Sequence, residues 1–396
     1  MINRSNIGDH FKSEELIHIL KKLVEINSEN PPGVEGPVAF YIKQVLYENG
    51  IPAELSEAAP KRPNVKAVLK GKKPGPTVIY NGHLDVVPAG QGWTRHPNGA
   101  VIEDGKLYGR GAADMKSGLA AMMYAAIVLK RMGLPLSGTL ILYFNVDEER
   151  SNIGMKHFLN ENFTADYAII SEPTDLDVCI GHKGVARYRL RTFGTAGHTS
   201  VVRQPDNAIY KMTKLILALE NLSTKIQTRK HPLLGTASLT VTQIIGGTAP
   251  NIVPSETIIE IDRRIVPGET EKGVYEEIER TVSEVAQRGQ FSYVLEQYLY
   301  LPPYIIAEDH PLVSAATSIV NMVTNREKCT KPFIASTEAP FFAVYKEIPT
   351  LILGPGSLKQ AHTVDEHVEI TEVIAAAHVF IILACQLLSN NDQAIR

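Results

Sequence analysis

Four short, almost unbroken apolar runs constrain this chain more than any other feature. They cover residues 77–80, 139–146, 167–170 and 350–353, each bounded by turn residues. A strand with one face on a core and one in water alternates apolar and polar residues. A strand that is apolar on both sides must be covered on both faces, as in a parallel sheet sandwiched between helices. Helical stretches lie between the runs, among them the alanine-rich segment 117–132, closed by Gly133. Strands alternating with helices predict an α/β domain, a mostly parallel sheet with helices on both faces.

Between about residues 183 and 296 the texture changes. Alternating strands at 186–192, 237–244 and 256–261 and helices at 207–220 and 271–287 predict a compact α+β unit inserted into the larger domain. Gly181 and Gly184 bracket its entry and Leu301-Pro302-Pro303 follows its exit. The expected division is therefore a discontinuous domain of residues 1–182 and 297–396, carrying an insert of residues 183–296. The length of 396 residues, at about 150 per domain, agrees.

Composition removes several classes of function. Lys and Arg number 40 against 43 Asp and Glu, a net charge of −3 that offers no footprint for nucleic acid or an anionic membrane. Cys179, Cys329 and Cys385 are far apart and form no Cys-x-x-Cys, which excludes a disulfide framework and thiolate zinc sites. Any metal is then held by His and carboxylate. Residues 1–12 are polar and carry no signal-peptide core, so a cytoplasmic protein is expected. The most apolar stretch, 373–388, includes His378 and Gln386 and falls short of the ~20 apolar residues of a bilayer span. It is predicted to be a buried C-terminal helix.

Chemistry-bearing residues stand where the apolar runs end. Asn81-Gly82-His83-Leu84-Asp85 follows the first, Asp147-Glu148-Glu149 the second and Ser171-Glu172-Pro173 the third. Gly354-Pro355-Gly356 and then Gln360-Ala361-His362 follow the fourth, and Gly109-Arg110-Gly111-Ala112-Ala113-Asp114 opens the alanine-rich helix. In open α/β sheets the carboxyl ends of the strands line the functional crevice. Two histidines and several carboxylates gathered there repel one another unless cations neutralise them. Imidazole and carboxylate without thiolate suit zinc first, with cobalt or manganese as alternatives. A shared carboxylate suits two ions, which lower the pKa of a bound water from 15.7 toward about 7 and polarise a carbonyl. The Glu148-Glu149 pair can supply one ligand and one base.

In order, Gly82-His83-Leu84-Asp85, Gly109 to Lys116, Asp147-Glu148-Glu149, Ser171-Glu172-Pro173-Thr174 and Ala361-His362-Thr363 resemble the co-catalytic zinc amidohydrolases. That family includes aminoacylases, glutamate carboxypeptidases, acetylornithine deacetylases and succinyl-diaminopimelate desuccinylases. Gly354-Pro355-Gly356 looks most like the deacetylase/desuccinylase branch. The resemblance implies that His83 and Glu172 hold one zinc, that Glu149 and His362 hold the other, and that Asp114 bridges both. Glu148 is then the general base for attack by a zinc-bridging hydroxide on the amide of a small N-acyl amino acid. Asp85 bonds the far nitrogen of His83 and fixes its tautomer. The insert becomes a lid and dimerisation domain. In it, His198 reaches a neighbouring subunit's site to stabilise the oxyanion, while Asn251 and Arg264 grip the substrate. Arg263 competes with Arg264, because neighbours on a strand face opposite ways.

The segment Ser336-Thr337-Glu338-Ala339-Pro340 departs from the Thr-Asp-Ala-Arg frequent in the family: Glu338 replaces the acid and Pro340 the arginine. The expectation is that the catalytic constellation is untouched while substrate identity does not transfer. The remaining histidines read as structural and Trp93 as packing near the mouth of the site. Gly109-Arg110-Gly111 lacks the third glycine of a dinucleotide fingerprint, and no phosphate loop or Gly-x-Ser-x-Gly elbow exists. Two readings stay beside the deacylase: a dipeptidase or carboxypeptidase of the same family, and a non-catalytic binding member of the fold. The expected assembly is a homodimer acting on a small molecule.

Overall fold

The computed structural model describes residues 7–162, 164–201 and 206–389. The chain forms two compact units: Met1–Gly181 with Ile305–Phe333 and Thr337–Arg396, and His182–Tyr304 with Ile334–Ser336.

The first unit is built on a nine-stranded sheet. Its order is Ala53–Ala59, Arg62–Lys70, Ser137–Asn145, Lys73–His83, Tyr167–Ile170, Thr350–Ile352, Val178–His182 and Tyr304–Ile305, with Thr330–Phe333 also paired to Val178–His182. The four apolar runs are its parallel centre, running Ser137–Asn145, Lys73–His83, Tyr167–Ile170, Thr350–Ile352. The margins are antiparallel. Both faces are covered, and neighbouring residues show how. In register, Tyr80 lies beside Leu142 and Asn81 beside Tyr143, so Tyr80 and Tyr143 point to opposite faces. The Tyr80 ring packs on Phe380 of the helix Ile370–Leu387, with centroids 5.2 Å apart, and its hydroxyl donates to the Phe380 carbonyl at 2.6 Å. On the other face Tyr143 packs on Phe158 at 4.8 Å, which in turn meets Phe342 at 4.9 Å.

The helices Ser117–Met132 and Ile370–Leu387 pack on each other as the core of this layer. Ile370–Leu387 and the longer segment Ala112–Met132, which takes in the first of these helices, are long and apolar enough to cross a membrane, yet both lie mostly buried within the fold. That burial explains their all-round apolar character.

The second unit runs past Glu296 to Tyr304 because Tyr293–Leu301 is an edge strand of its sheet. The antiparallel order is Ser238–Gly246, Glu256–Ile265, Gly184–Phe193, Tyr293–Leu301. One face buries Tyr188, Leu190, Ile259 and Ile261 against the helices Ala208–Ile226 and Glu271–Gly289. The other carries the pairs Arg187–Asp262, Arg189–Glu260 and Arg191–Glu256. Alternation along each strand sorts the two sets.

Phe380→Ala removes a fully buried ring from between helix and sheet. It is expected to cost about 3–5 kcal/mol. Urea unfolding followed by the single tryptophan, Trp93 of the first unit, would show it as an earlier midpoint.

Candidate metal centre

The parallel strands of the first unit end together. His83 closes Lys73–His83 opposite Asn145, the end of Ser137–Asn145, so Asp147, Glu148 and Glu149 emerge beside it. Asn81 pairs with Ile170, which places Glu172 two residues beyond the next strand end. Close backbone packing keeps it there: a Cβ on Gly354 would come within 2.5 Å of the Glu172 carbonyl oxygen. Asp114 lies in the turn leading into the helix Ser117–Met132, and His362 in a loop after Thr350–Ile352.

All five expected ligands meet. His83, Asp114 and Glu172 form one cluster and Asp114, Glu149 and His362 another, the potential ligand atoms of each lying within 4.8 Å of one another. His83 Nε2 is 3.0 Å from Asp114 Oδ1, while His362 Nε2 is 3.3 Å from Asp114 Oδ2 and 3.0 Å from Glu149 Oε1. Asp114 thus turns one oxygen to each histidine. A third cluster of His83, Glu148 and Glu149 puts Glu148 at the same place. His83, Asp114 and Glu172 are buried; the His362 side chain is 49% exposed.

The electrostatics follow from this crowding. Burial pushes the Glu148 and Glu172 carboxyls well above the usual range, and neighbouring carboxylates add to it. Burial also opposes ionising Asp114, but hydrogen bonds from His362 and His83 hold it well below its ordinary value. Its bonds to Asp114 and Glu149 raise His362 to about 10. Were all its carboxyls ionised, the group would hold more negative charge than its two imidazoles could offset. Two imidazoles and three carboxylates, in two clusters that share one carboxylate, fit a pair of divalent ions.

Asp85 plays a different part from the one expected. The His83 Nδ1–H donates to the main-chain carbonyl of Asp85 at 2.8 Å, while the Asp85 carboxylate stands 3.6 Å away. The tautomer is fixed, leaving Nε2 free to ligate, but the peptide oxygen fixes it. The carboxylate instead accepts from the amides of Glu148 at 3.0 Å and Glu149 at 3.2 Å and from Asn30 Nδ2 at 2.9 Å. It orients the two glutamates.

Glu338 corrects a second expectation. It is fully buried and forms a cluster with Glu148 and Glu172, so the departure at this position does reach the constellation. Asn145 Nδ2 donates to it at 2.5 Å, and burial pushes its carboxyl up to about 7. Sequence reasoning also passed over Asn30, which donates to both Asp85 and Asp147, and over Arg62, which pairs with Glu35 and Asp147. Asn30-Pro31-Pro32 signals only a helix break, and Arg62 stands in a strand whose pattern gives no warning.

The other three candidates lie in the second unit. His198, on the short strand Gly197–His198 paired with Ile252–Val253, is exposed, and its Nδ1 lies 2.6 Å from Ser200 Oγ. Asn251 is next to it, its carbonyl accepting from the Thr199 amide at 3.1 Å. Arg263 is fully buried and ion-paired with Glu269. Arg264 is 29% exposed and donates to Asp262 at 2.8 Å and to Ser336 Oγ at 3.1 Å.

The profile of peptidase family M20/M25/M40 matches residues 79–386. An acetylornithine deacetylase of Vibrio cholerae is 32% identical over 324 residues, 80% of this chain and 82% of its own length. The N-formyl-4-amino-5-aminomethyl-2-methylpyrimidine deformylase of Halalkalibacterium halodurans is 29% identical over 392 residues, 91% of each chain. Among solved structures, an M20 family metallo-carboxypeptidase from Sulfolobus solfataricus superposes with a TM-score of 0.81 at 20% identity, covering 95% of this chain and all of the other.

The shared carboxylate makes a distinctive prediction. Asp114→Asn should weaken both of two divalent-metal equivalents, whereas His362→Gln should weaken one and spare the other. Calorimetric titration of the metal-free proteins with zinc or cobalt would separate the two patterns.

Proposed function

Taking as premise that the chain belongs to peptidase family M20/M25/M40, we propose that it is a dinuclear metal-dependent amidohydrolase that removes a small acyl group from the nitrogen of an amino acid or similar amine. The observation that carries this reading is the pair of His/carboxylate clusters sharing Asp114, with Glu148 beside them. The names of the two relatives, a deacetylase and a deformylase, support acyl removal over peptide cleavage. The carboxypeptidase, at 20% identity, speaks for the fold alone.

His83 and Glu172 would hold one ion, Glu149 and His362 the other, and Asp114 both, zinc being the expected metal. When bound, such a pair polarises the scissile carbonyl and a water molecule. Glu148 takes the proton of the attacking water and delivers it to the leaving amine. Asp85 holds the backbone of Glu148 and Glu149 from behind through their amides. Arg264 is the better candidate than Arg263 for holding a substrate carboxylate, since Arg263 is buried in its pair with Glu269. His198 and Asn251 keep their proposed parts as oxyanion donor and substrate contact. The free cysteines fit a reducing, cytoplasmic setting.

A homodimer through the second unit is part of the proposal. Ile244 and Ile245 on the edge strand Ser238–Gly246 are 57% and 65% exposed, and Tyr210 and Leu217 on the helix Ala208–Ile226 are 64% and 55% exposed. An edge strand with exposed apolar side chains invites pairing. Sedimentation equilibrium should give twice the 43.5 kDa chain mass, and Ile245→Glu should shift it toward the monomer.

The test of mechanism is Glu148→Gln. The variant should keep its metal and fold and lose at least ~10²-fold in kcat against the best substrate from a panel of acetyl-, formyl- and succinyl-amino acids, with dipeptides as the competing arm. Near-parental turnover by the metal-loaded variant would remove Glu148 from this role. A clear preference for dipeptides would favour the exopeptidase reading.

A further inference from the structure

Glu366 is fully buried. It lies four residues beyond His362 and is used by none of the chemistry above. One carboxylate oxygen, Oε1, accepts from the amides of Ala113 at 2.9 Å and Asp114 at 3.0 Å. The other, Oε2, accepts from Arg110 Nη1 at 2.5 Å, and the Glu366 carbonyl accepts from the Gly109 amide at 2.9 Å. One residue therefore ties down the turn 109–114 through four hydrogen bonds. Arg110 is itself placed by the Ala89 carbonyl at 3.3 Å and by the Trp93 ring, 5.1 Å from its guanidinium carbon.

We propose that Glu366 is a positioning residue that locks the turn of Asp114 to the loop of His362 and so shapes the Asp114–Glu149–His362 pocket for its cation. The inference rests on the dinuclear reading above and adds to it which pocket depends on this clamp. His83 and Glu172 stand at or just beyond the ends of adjacent strands, so the sheet ladder sets their separation. His362 has no such support: it sits in a loop, at φ 61°, with a half-exposed side chain. Its distance from Asp114 depends on how the two loops are joined, and Glu366 joins them. Partners of this kind, behind the ligands, tune metal affinity by about 10–100-fold.

The experiment is cobalt titration of the metal-free full chain, followed by the visible spectrum and by calorimetry, for the parent, Glu366→Gln and Glu366→Asp. A glutamine cannot accept from both the amides and Arg110, because its amide nitrogen donates. An aspartate keeps the charge and falls short of the amides. Each variant should bind one of two equivalents about 10–100-fold more weakly than the parent and leave the other much less changed. Parental affinity for both equivalents, or an equal loss of both, would overturn the role given to Glu366. If the glutamine variant fails to fold, as judged by thermal unfolding without metal, the aspartate variant decides alone. A parent chain that takes up fewer than two equivalents would instead overturn the dinuclear reading, so the two failures are distinct.

Discussion

The first unit is organised around carboxylates held close together away from water. Asp85, Asp114, Glu172 and Glu338 are buried at the ends of the parallel strands, and Glu148 and Glu149 join them half-buried. Such an arrangement works against folding, because each carboxylate raises the cost of ionising the next. The surrounding structure supplies partial compensation from behind. Arg62 faces Asp147 and Glu35, Asn30 links Asp147 to Asp85, and Arg110 faces Glu366. The two guanidiniums and the Asn30 amide satisfy the outer carboxylates and leave the inner ones to the histidines and whatever cation they bind. Removing one partner of such a buried pair costs about 3–5 kcal/mol, so the outer ring is as necessary as the centre it encloses.

Lys116 shows the limit of this compensation. It is buried two residues beyond Asp114, burial pushes its amine down to about 7, and its Nζ donates to the Ile26 carbonyl at 2.8 Å. A backbone oxygen takes the place of a counter-ion, and the side chain joins the turn of Asp114 to the end of the helix Ser13–Glu25. The turn is thus held from two sides, by Lys116 and by Glu366.

The parallel centre of the sheet was legible because covering on both faces writes itself into sequence as continuous apolar runs, and most of the candidate ligands were legible because they stand just past those runs. The strands Ala53–Ala59 and Arg62–Lys70 were not: antiparallel and marginal, they have their apolar residues interrupted by Glu54, Glu57 and Lys66 and form no continuous run of the central kind. The bond expected between Asp85 and His83 uses the peptide oxygen of Asp85 and not its carboxylate, a choice that depends on the local path of the chain and leaves no mark in the residue pattern. The place of Glu338 beside Glu148 and the part played by Glu366 escaped for a further reason. Each glutamate acts through groups more than 150 residues away in the chain, and no periodicity encodes a meeting at that range. In the second unit the alternation of Gly184–Phe193 and Glu256–Ile265 was readable, and the same alternation separates Arg263 from Arg264 once the buried face is known.

On the proposed reading, reaction class and substrate choice fall to different residues under different constraints. The five candidate ligands and Glu148 belong to one unit, and four of the six stand on, or a few residues past, the ends of adjacent parallel strands, where a shift of one residue would break the clusters. His198, Asn251 and Arg264 belong to the other, where His198, itself exposed, ends a two-residue strand and Asn251 lies in the exposed turn beside it. Side chains in such turns can change without disturbing a core. Glu338 is the exception, a departure from the family's frequent acid that lies inside the constellation itself. It adds a carboxylate within reach of Glu148 and Glu172, and Asn145 holds one of its oxygens while the other has no partner among the described residues. A change there alters the field around the proposed base as well as the shape of the pocket, so at this one position specificity and catalysis are not separable.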